Sequence, residues 1–236
     1  MPGRIILNVR SDGTVFTAGG TPLFSDGFET GDFSLWTGES DTNNDLTVVG
    51  TPVYAGSYAA SARVNDADTY EVWKTLGTPV NEIWTHFYIR FNEVSSASVA
   101  AGATHQVCII SDTALANGYG EIIFTVNSAS PRVIDQLLIG YKDGASAFQY
   151  VGGAISPSAN QWYEVKIRHV KGITSNGTVS VWFDGTLLQT VTNADMHDDT
   201  EYGAVWLGTP AYTGWGGWGS LFVYYDNFQI AESDIW

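Results

Sequence analysis

The chain has 236 residues, 44% of them hydrophobic and 14% aromatic but only 15% charged, a balance that excludes an intrinsically disordered chain and supplies ample apolar surface for one closed core. Its net charge of −15, from 10 basic and 25 acidic side chains, repels phosphate backbones: nucleic acid is excluded as a partner, polyanionic sugars are disfavoured without a local basic cleft, and bound cations are favoured. No stretch approaches the ~18 consecutive apolar residues that a membrane-spanning helix needs.

At the N-terminus, Ile5, Leu7 and Val9, then Ser11-Asp12-Gly13, then Val15 and Thr17 read as a small hairpin, followed by Gly19-Gly20-Thr21-Pro22 as a linker. Residues 1–22 are therefore expected to form a short N-terminal β arm and residues 23–236 a single sandwich domain. The alternative is that the arm is one more strand pair on the sandwich edge. The run Arg4-Ile-Ile-Leu-Asn-Val-Arg10 is too short and too polar for the apolar centre of a signal peptide, so the chain is expected to lack a Sec-type export signal or to have lost it.

Beyond residue 22 helical periodicity is almost absent, and strand signals recur between Gly, Asn, Asp and Ser. In chain order they are Ser57–Val64, Trp84–Val94, His105–Ser111, Glu121–Asn127, Gln136–Lys142, Trp162–Val170, Gly177–Phe183, Thr186–Thr192, Ala204–Gly208 and Ser220–Ala231. In the second, Thr85, Phe87, Ile89 and Phe91 share one face, and Trp84, His86, Tyr88 and Arg90 share the other. Tyr163, Val165 and Ile167, and later Val179, Val181 and Phe183, form further inward sets, and Asp184-Gly185 suits a tight type I′ hairpin turn. In the last segment, strict alternation puts Phe222, Tyr224, Asp226, Phe228 and Ile230 on one face, which buries the Asp226 carboxylate among apolar groups. The one cysteine, Cys108, lies in the apolar run Val107–Ile110 and is expected to be a buried small hydrophobe. The fold class is thus all-β, a two-sheet antiparallel sandwich.

Five stretches carry a resemblance. Phe24-Ser-Asp-Gly-Phe-Glu-Thr-Gly-Asp-Phe-Ser-Leu-Trp36 looks like an opening strand, and Gly56-Ser-Tyr-Ala-Ala-Ser-Ala62 like a second. Gln161-Trp-Tyr-Glu-Val-Lys-Ile-Arg168 with Gly177-Thr-Val-Ser-Val-Trp-Phe-Asp-Gly185 looks like a strand pair, and Tyr224-Tyr-Asp-Asn-Phe-Gln-Ile230 like a closing strand. Together they resemble the concanavalin A-like or laminin-G-like jelly-roll superfamily over residues 24 to 230. That resemblance implies a structural Ca²⁺ held by Glu29 (or Asp26), the Gly56 carbonyl and Asp226. A hydrogen-bonded Asp226 at a β-bulge is the other reading. The superfamily includes lectins, carbohydrate-binding modules, glucanases, polysaccharide lyases and virion surface proteins, so it implies a fold and not an activity.

Candidate chemistry is sparse. Asp66-Ala-Asp-Thr-Tyr-Glu71 approaches a glucanase carboxylate signature, read here as a loop feeding a strand. Arg90, His105, Gln106, Tyr141 and Lys142 supply the residue types of a lyase site without a lyase motif. Asp41-Thr-Asn-Asn-Asp45 alternates oxygens like a calcium loop but lacks the following Gly and distal Glu, and reads as a solvated loop. The loop Tyr212-Thr-Gly-Trp-Gly-Gly-Trp-Gly219 is the ligand candidate: Tyr212, Trp215 and Trp218 offer flat rings that stack on sugars or on a partner protein. The expected function is a non-enzymatic recognition or structural module. It would be extracellular or on a virion surface, bind glycan, dock a partner or capsid-like assembly through residues 1–22, and form homo-oligomers. The alternative is a secreted polysaccharide lyase or glycoside hydrolase.

Overall fold

The computed structural model describes residues 8–9, 15–16, 21–41, 43–64, 70–96, 99–112, 118–143, 145, 147–172, 176–196, 201–209, 212–213 and 221–235. They contain no helix and nineteen strands. These are β1 (Asn8–Val9), β2 (Val15–Phe16), β3 (Phe24–Asp26), β4 (Gly38–Asp41), β5 (Leu46–Val49), β6 (Ala59–Arg63), β7 (Tyr70–Val80), β8 (Glu82–Phe91), β9 (Ser95–Ser96) and β10 (Thr104–Ser111). The rest are β11 (Gly118–Val126), β12 (Arg132–Lys142), β13 (Phe148–Ala154), β14 (Trp162–Val170), β15 (Gly177–Phe183), β16 (Thr186–Ala194), β17 (Tyr202–Thr209), β18 (Tyr212–Thr213) and β19 (Phe222–Ala231). Among the described residues β1 and β2 pair with each other as a two-stranded sheet.

The remaining strands make a two-sheet antiparallel jelly-roll sandwich. One sheet runs β13-β12-β11-β10-β17-β7-β4, with β18 on β10 and β9 on β12; the other runs β16-β15-β14-β8-β19-β6-β5, with β3 on β19. Strands distant in sequence are neighbours in both sheets, so the layers are stitched by long-range pairing.

Period-two alternation decides which side chains meet between the layers. From the eight-stranded sheet come Phe87, Ile89, Phe91, Val165, Ile167, Val179, Val181 and Phe183; from the nine-stranded sheet come Val107, Cys108, Ile110, Ile122, Phe124, Leu137, Ile139 and Leu207. Phe124 bridges them, its ring 5.0 Å from Phe91 and 6.5 Å from Phe183. Each fully buried side chain of this kind contributes about 1.5–3 kcal/mol. Cys108 is part of this packing, and burial holds its thiol well above the ordinary value. The Asp184-Gly185 turn has φ values of 49° and 74°, as the hairpin between β15 and β16 requires.

β19 departs from the expected alternation. Against β8 its register passes from Asp226↔Tyr88 to Gln229↔His86, three residues against two, and Asn227 takes φ 49° at the step. Val223 and Tyr225 point inward before this bulge, Phe228 and Ile230 after it. Phe222 and Tyr224 therefore lie on the outer face, half-buried and stacked at 6.3 Å. A single face for Phe222 through Ile230 is corrected accordingly, because a bulge changes parity where simple alternation assumes none. Asp226 sits at the bulge, fully buried.

Candidate functional site

The outer face of the nine-stranded sheet carries an ordered row of side chains, placed by register alone. Gly38 of β4 pairs with Trp73 of β7, Trp73 with Trp206 of β17, Trp206 with Ile109 of β10, Ile109 with Glu121 of β11, Glu121 with Gly140 of β12, and Gly140 with Tyr150 of β13. Directly paired residues share a sheet face, so the row crosses the strands. At one end the indoles of Trp73 and Trp206 lie 5.5 Å apart at 35°, both half-buried. Trp206 Nε1 donates to Ser111 Oγ at 3.0 Å, which fixes that ring. A side chain at position 38 would collide with the Trp73 indole, so Gly38 gives that ring its seat.

At the other end Tyr150 Oη and Gln106 Nε2 both donate to the Glu121 carboxylate. Gly140 lies between them, and a Cβ there would come within 2.9 Å of Glu121 Cγ and 3.0 Å of Tyr150 Cε1. The missing side chain lets the two meet across β12. Burial raises the Glu121 carboxyl, and the Tyr150 hydrogen bond partly offsets the rise. Burial, then the Glu121 bond and charge, raise the Tyr150 hydroxyl. Glu71, two residues before Trp73 on the same face, is pushed up to about 7 by burial, and its Oε2 is buried without a hydrogen-bond partner among the described residues. Glu71 and Glu121 are three strand positions apart, roughly 14 Å, too far for the ~5–9.5 Å carboxyl pairs of glycoside hydrolysis.

The sequence candidates fall in several places. Trp215 and Trp218 lie outside the described residues, as do Asp66 and Asp68, while the backbone of Tyr212 pairs with His105 in the β18–β10 ladder. Glu71 belongs to β7 itself rather than to a loop before it. His105 points into the core and is fully buried; burial pushes its pKa down to about 3, so it holds no proton at neutral pH. Arg90 is on the outer face of the other sheet, where its Nη2 donates to Asn160 Oδ1 at 2.8 Å. Arg90, His105 and Gln106 thus lie on three different surfaces and make no joint site. Asp41 closes its own turn, accepting from the backbone N–H groups of Asn43, Asp45 and Leu46.

A second cluster surrounds the turn at residues 54–58. Asp226 Oδ2 accepts from the N–H groups of Tyr54 (2.8 Å) and Ala55 (3.1 Å), and its Oδ1 from Asn227 (2.7 Å). From the other side Glu29 accepts from Ser57 (2.9 Å) and Tyr58 (3.1 Å). Gly56, at φ 71°, leaves the space that the Glu29 carboxylate fills. Asp26 is engaged separately, by Phe28 N–H and Trp36 Nε1. Burial pushes the Asp226 pKa up to about 6, and the charge of Glu29 adds to the rise. Neither Glu29 nor Asp226 has an ion-pair partner among the described residues. A cleft of about 360 Å³ opens beside them, lined by Asp26, Glu29, Gly56 and Asn227 among others. Glu29 lines this cleft and Asp226 is fully buried; a hard cation held by both would take its other oxygens from backbone or water.

No family model matches the chain, and no curated protein matches it. Solved structures do. An endo-β-1,4-glucuronan lyase from the fungus Trichoderma reesei aligns over 90% of this chain and 96% of its own, with 18% identity and a TM-score of 0.66. The marine PL-14 alginate lyase from Aplysia kurodai aligns over 91% and 100%, with 8% identity and a TM-score of 0.64. The binding domain of botulinum neurotoxin DC in complex with SialylT aligns over 98% of this chain and 48% of that one, with 13% identity and a TM-score of 0.52. At these identities the likeness is one of fold, an all-β jelly-roll sandwich.

Glu71 sets a test of this face. Its folded pKa of about 7 lies above the ordinary carboxylate value of 4.5, so the folded state retains a proton that the unfolded chain has released between those values. Stability therefore falls as pH rises through that window. Glu71→Gln is expected to melt with wild type at pH 4 and roughly 2–4 °C above it at pH 8. A difference in melting temperature that does not vary with pH would remove the assignment.

Proposed function

We propose that this protein is a non-enzymatic, extracellular carbohydrate-binding sandwich of the concanavalin A-like kind, and that glycan lies on the outer face of its nine-stranded sheet. The observation that carries the reading is the Trp73–Trp206 indole pair, set in one cross-strand row with Glu121 and Tyr150. Flat apolar rings beside fixed hydrogen-bonding groups suit a sugar, which has an apolar ring face and a polar rim. Similarity in fold to polysaccharide lyases and to a toxin binding domain supports it as analogy.

The Glu121–Tyr150–Gln106 cluster favours a second reading, a polysaccharide lyase with a tyrosine base and a neighbouring group that neutralises a uronate. The raised Tyr150 hydroxyl is a poor base at neutral pH, which is why binding is preferred.

Binding of a panel of polysaccharides, with ultraviolet detection of unsaturated ends in parallel, separates the two. Trp73→Ala and Trp206→Ala are each expected to weaken binding at least about tenfold, ~1.4 kcal/mol, with no product formed. Full affinity in both variants would sink the reading, and product lost on Tyr150→Phe would replace it with the lyase.

A structural Ca²⁺ at Glu29, the Gly56 carbonyl and Asp226 is part of the proposal, supported by two carboxylates gathered around the 54–58 turn, neither of them in an ion pair among the described residues. Calcium is expected to raise the melting temperature over a chelator in wild type and not in Glu29→Gln; equal melting of wild type in both conditions removes the ion. Decoration of a virion or other assembly through residues 1–22 has one support, that β1 and β2 form a sheet of their own. Native mass with and without residues 1–22 tests it, an unchanged assembly counting against docking.

A further inference from the structure

Resting on the carbohydrate-binding reading, we infer that the outer face of the nine-stranded sheet selects an uncharged glycan lying across the strands, and discriminates against polyuronates. The row from Trp73 to Tyr150 crosses six strands, roughly 24 Å, enough for several sugar rings. Its ends differ in chemistry. Trp73 and Trp206 offer stacking surface, whereas Glu121 and Tyr150 offer hydrogen bonds, so the chain direction runs perpendicular to the strands to use both.

The charge on this face decides the class of sugar. Its carboxylates among the described residues are Glu71, Glu121 and Asp135, the last accepting from Thr125 at the β12 bulge, and none of them is in an ion pair there. Basic side chains on the strands of this sheet are three. Lys74 is turned toward the other layer, donating to the Leu35 carbonyl at 2.7 Å with its Nζ 4.7 Å from the Phe24 ring centroid. Arg132 lies at the start of β12, eight residues from Gly140 and so roughly 26 Å along the strand. Lys142 lies two residues beyond Gly140 on the same face, roughly 7 Å along the strand, over the Phe148 ring at 5.8 Å, and is the one cation near the row among the described residues. By contrast, Arg90, Lys166 and Arg168 stand on the outer face of the eight-stranded sheet.

A polyuronate would bring a carboxylate with every ring to a face whose central charges are acidic, on a chain of net charge −15. A neutral chain brings hydroxyls instead. Those hydroxyls meet the Glu121 carboxylate and the Tyr150 hydroxyl without that repulsion.

The test is calorimetric titration of the full chain at pH 8 and low salt with two hexasaccharides, a β-1,4-glucan and a β-1,4-glucuronan, which differ at the C6 carboxylates. The glucan is expected to bind at least about tenfold more tightly. The gap is expected to narrow with added salt and in Glu71→Gln, because both reduce repulsion of the acidic chain. Equal or tighter binding of the glucuronan overturns the inference and leaves the carbohydrate-binding reading standing. Failure of both to bind overturns that reading and the inference with it.

Discussion

Cross-strand register in the nine-stranded sheet is the constraint on which the rest depends. No loop brings Trp73, Trp206, Glu121 and Tyr150 together; they lie on β7, β17, β11 and β13 and meet because backbone pairing puts them in one line. The register is held in turn by the opposite parity class. Val72, Leu207, Ile110, Ile122 and Ile139 are buried against the other layer, and a slip of one residue would turn them all to water. The apolar interior thus does the positioning, and the outer face inherits it.

Within that frame the chemistry of the row follows from what is left out as much as from what is present. Glycine at 38 and at 140 makes room for an indole and for a tyrosine–glutamate contact, respectively. The carboxyls on the face are partly dehydrated by their aromatic and aliphatic neighbours, which raises their proton affinity without any basic partner. Lys142 apart, cations are concentrated on the other sheet. On the eight-stranded sheet Arg168 pairs with Glu82 at 2.9 Å and Lys166 lies over the Trp84 and Trp182 rings, a surface already satisfied by its own contacts.

Much of the architecture was legible in the sequence, because alternation is a local signal. The bounds of β14 and β15 were read directly, and Phe87, Ile89, Val181 and Val165 are buried as their parity requires. Strict alternation through β19 missed its parity change, although a hydrogen-bonded Asp226 at a β-bulge was the alternative reading. The candidate row was missed for a different reason. Trp73 and Trp206 are 133 positions apart and Glu121 and Tyr150 are 29 apart, and their meeting depends on strand order, which one sequence does not display. Clustering along the chain drew attention to Trp215 and Trp218 instead. Glu71 was singled out by carboxylate spacing but read as part of a loop; its parity with Trp73, opposite to the apolar Val72, is what marks it as an outward strand residue.

The bulge in β19 has an evolutionary consequence. Its two halves are out of phase, Val223 and Tyr225 inward on one side and Phe228 and Ile230 inward on the other, with Asp226 and Asn227 absorbing the offset. Such a strand tolerates exchange of one side chain for another of similar shape far better than a change in length. Deleting Asp226 or Asn227 would restore plain alternation with Phe228 and Ile230 still inward, but would remove the bulge and with it the seat of the carboxylate that the 54–58 turn grips. Lineages of this protein should therefore vary in composition at this joint while keeping its residue count constant.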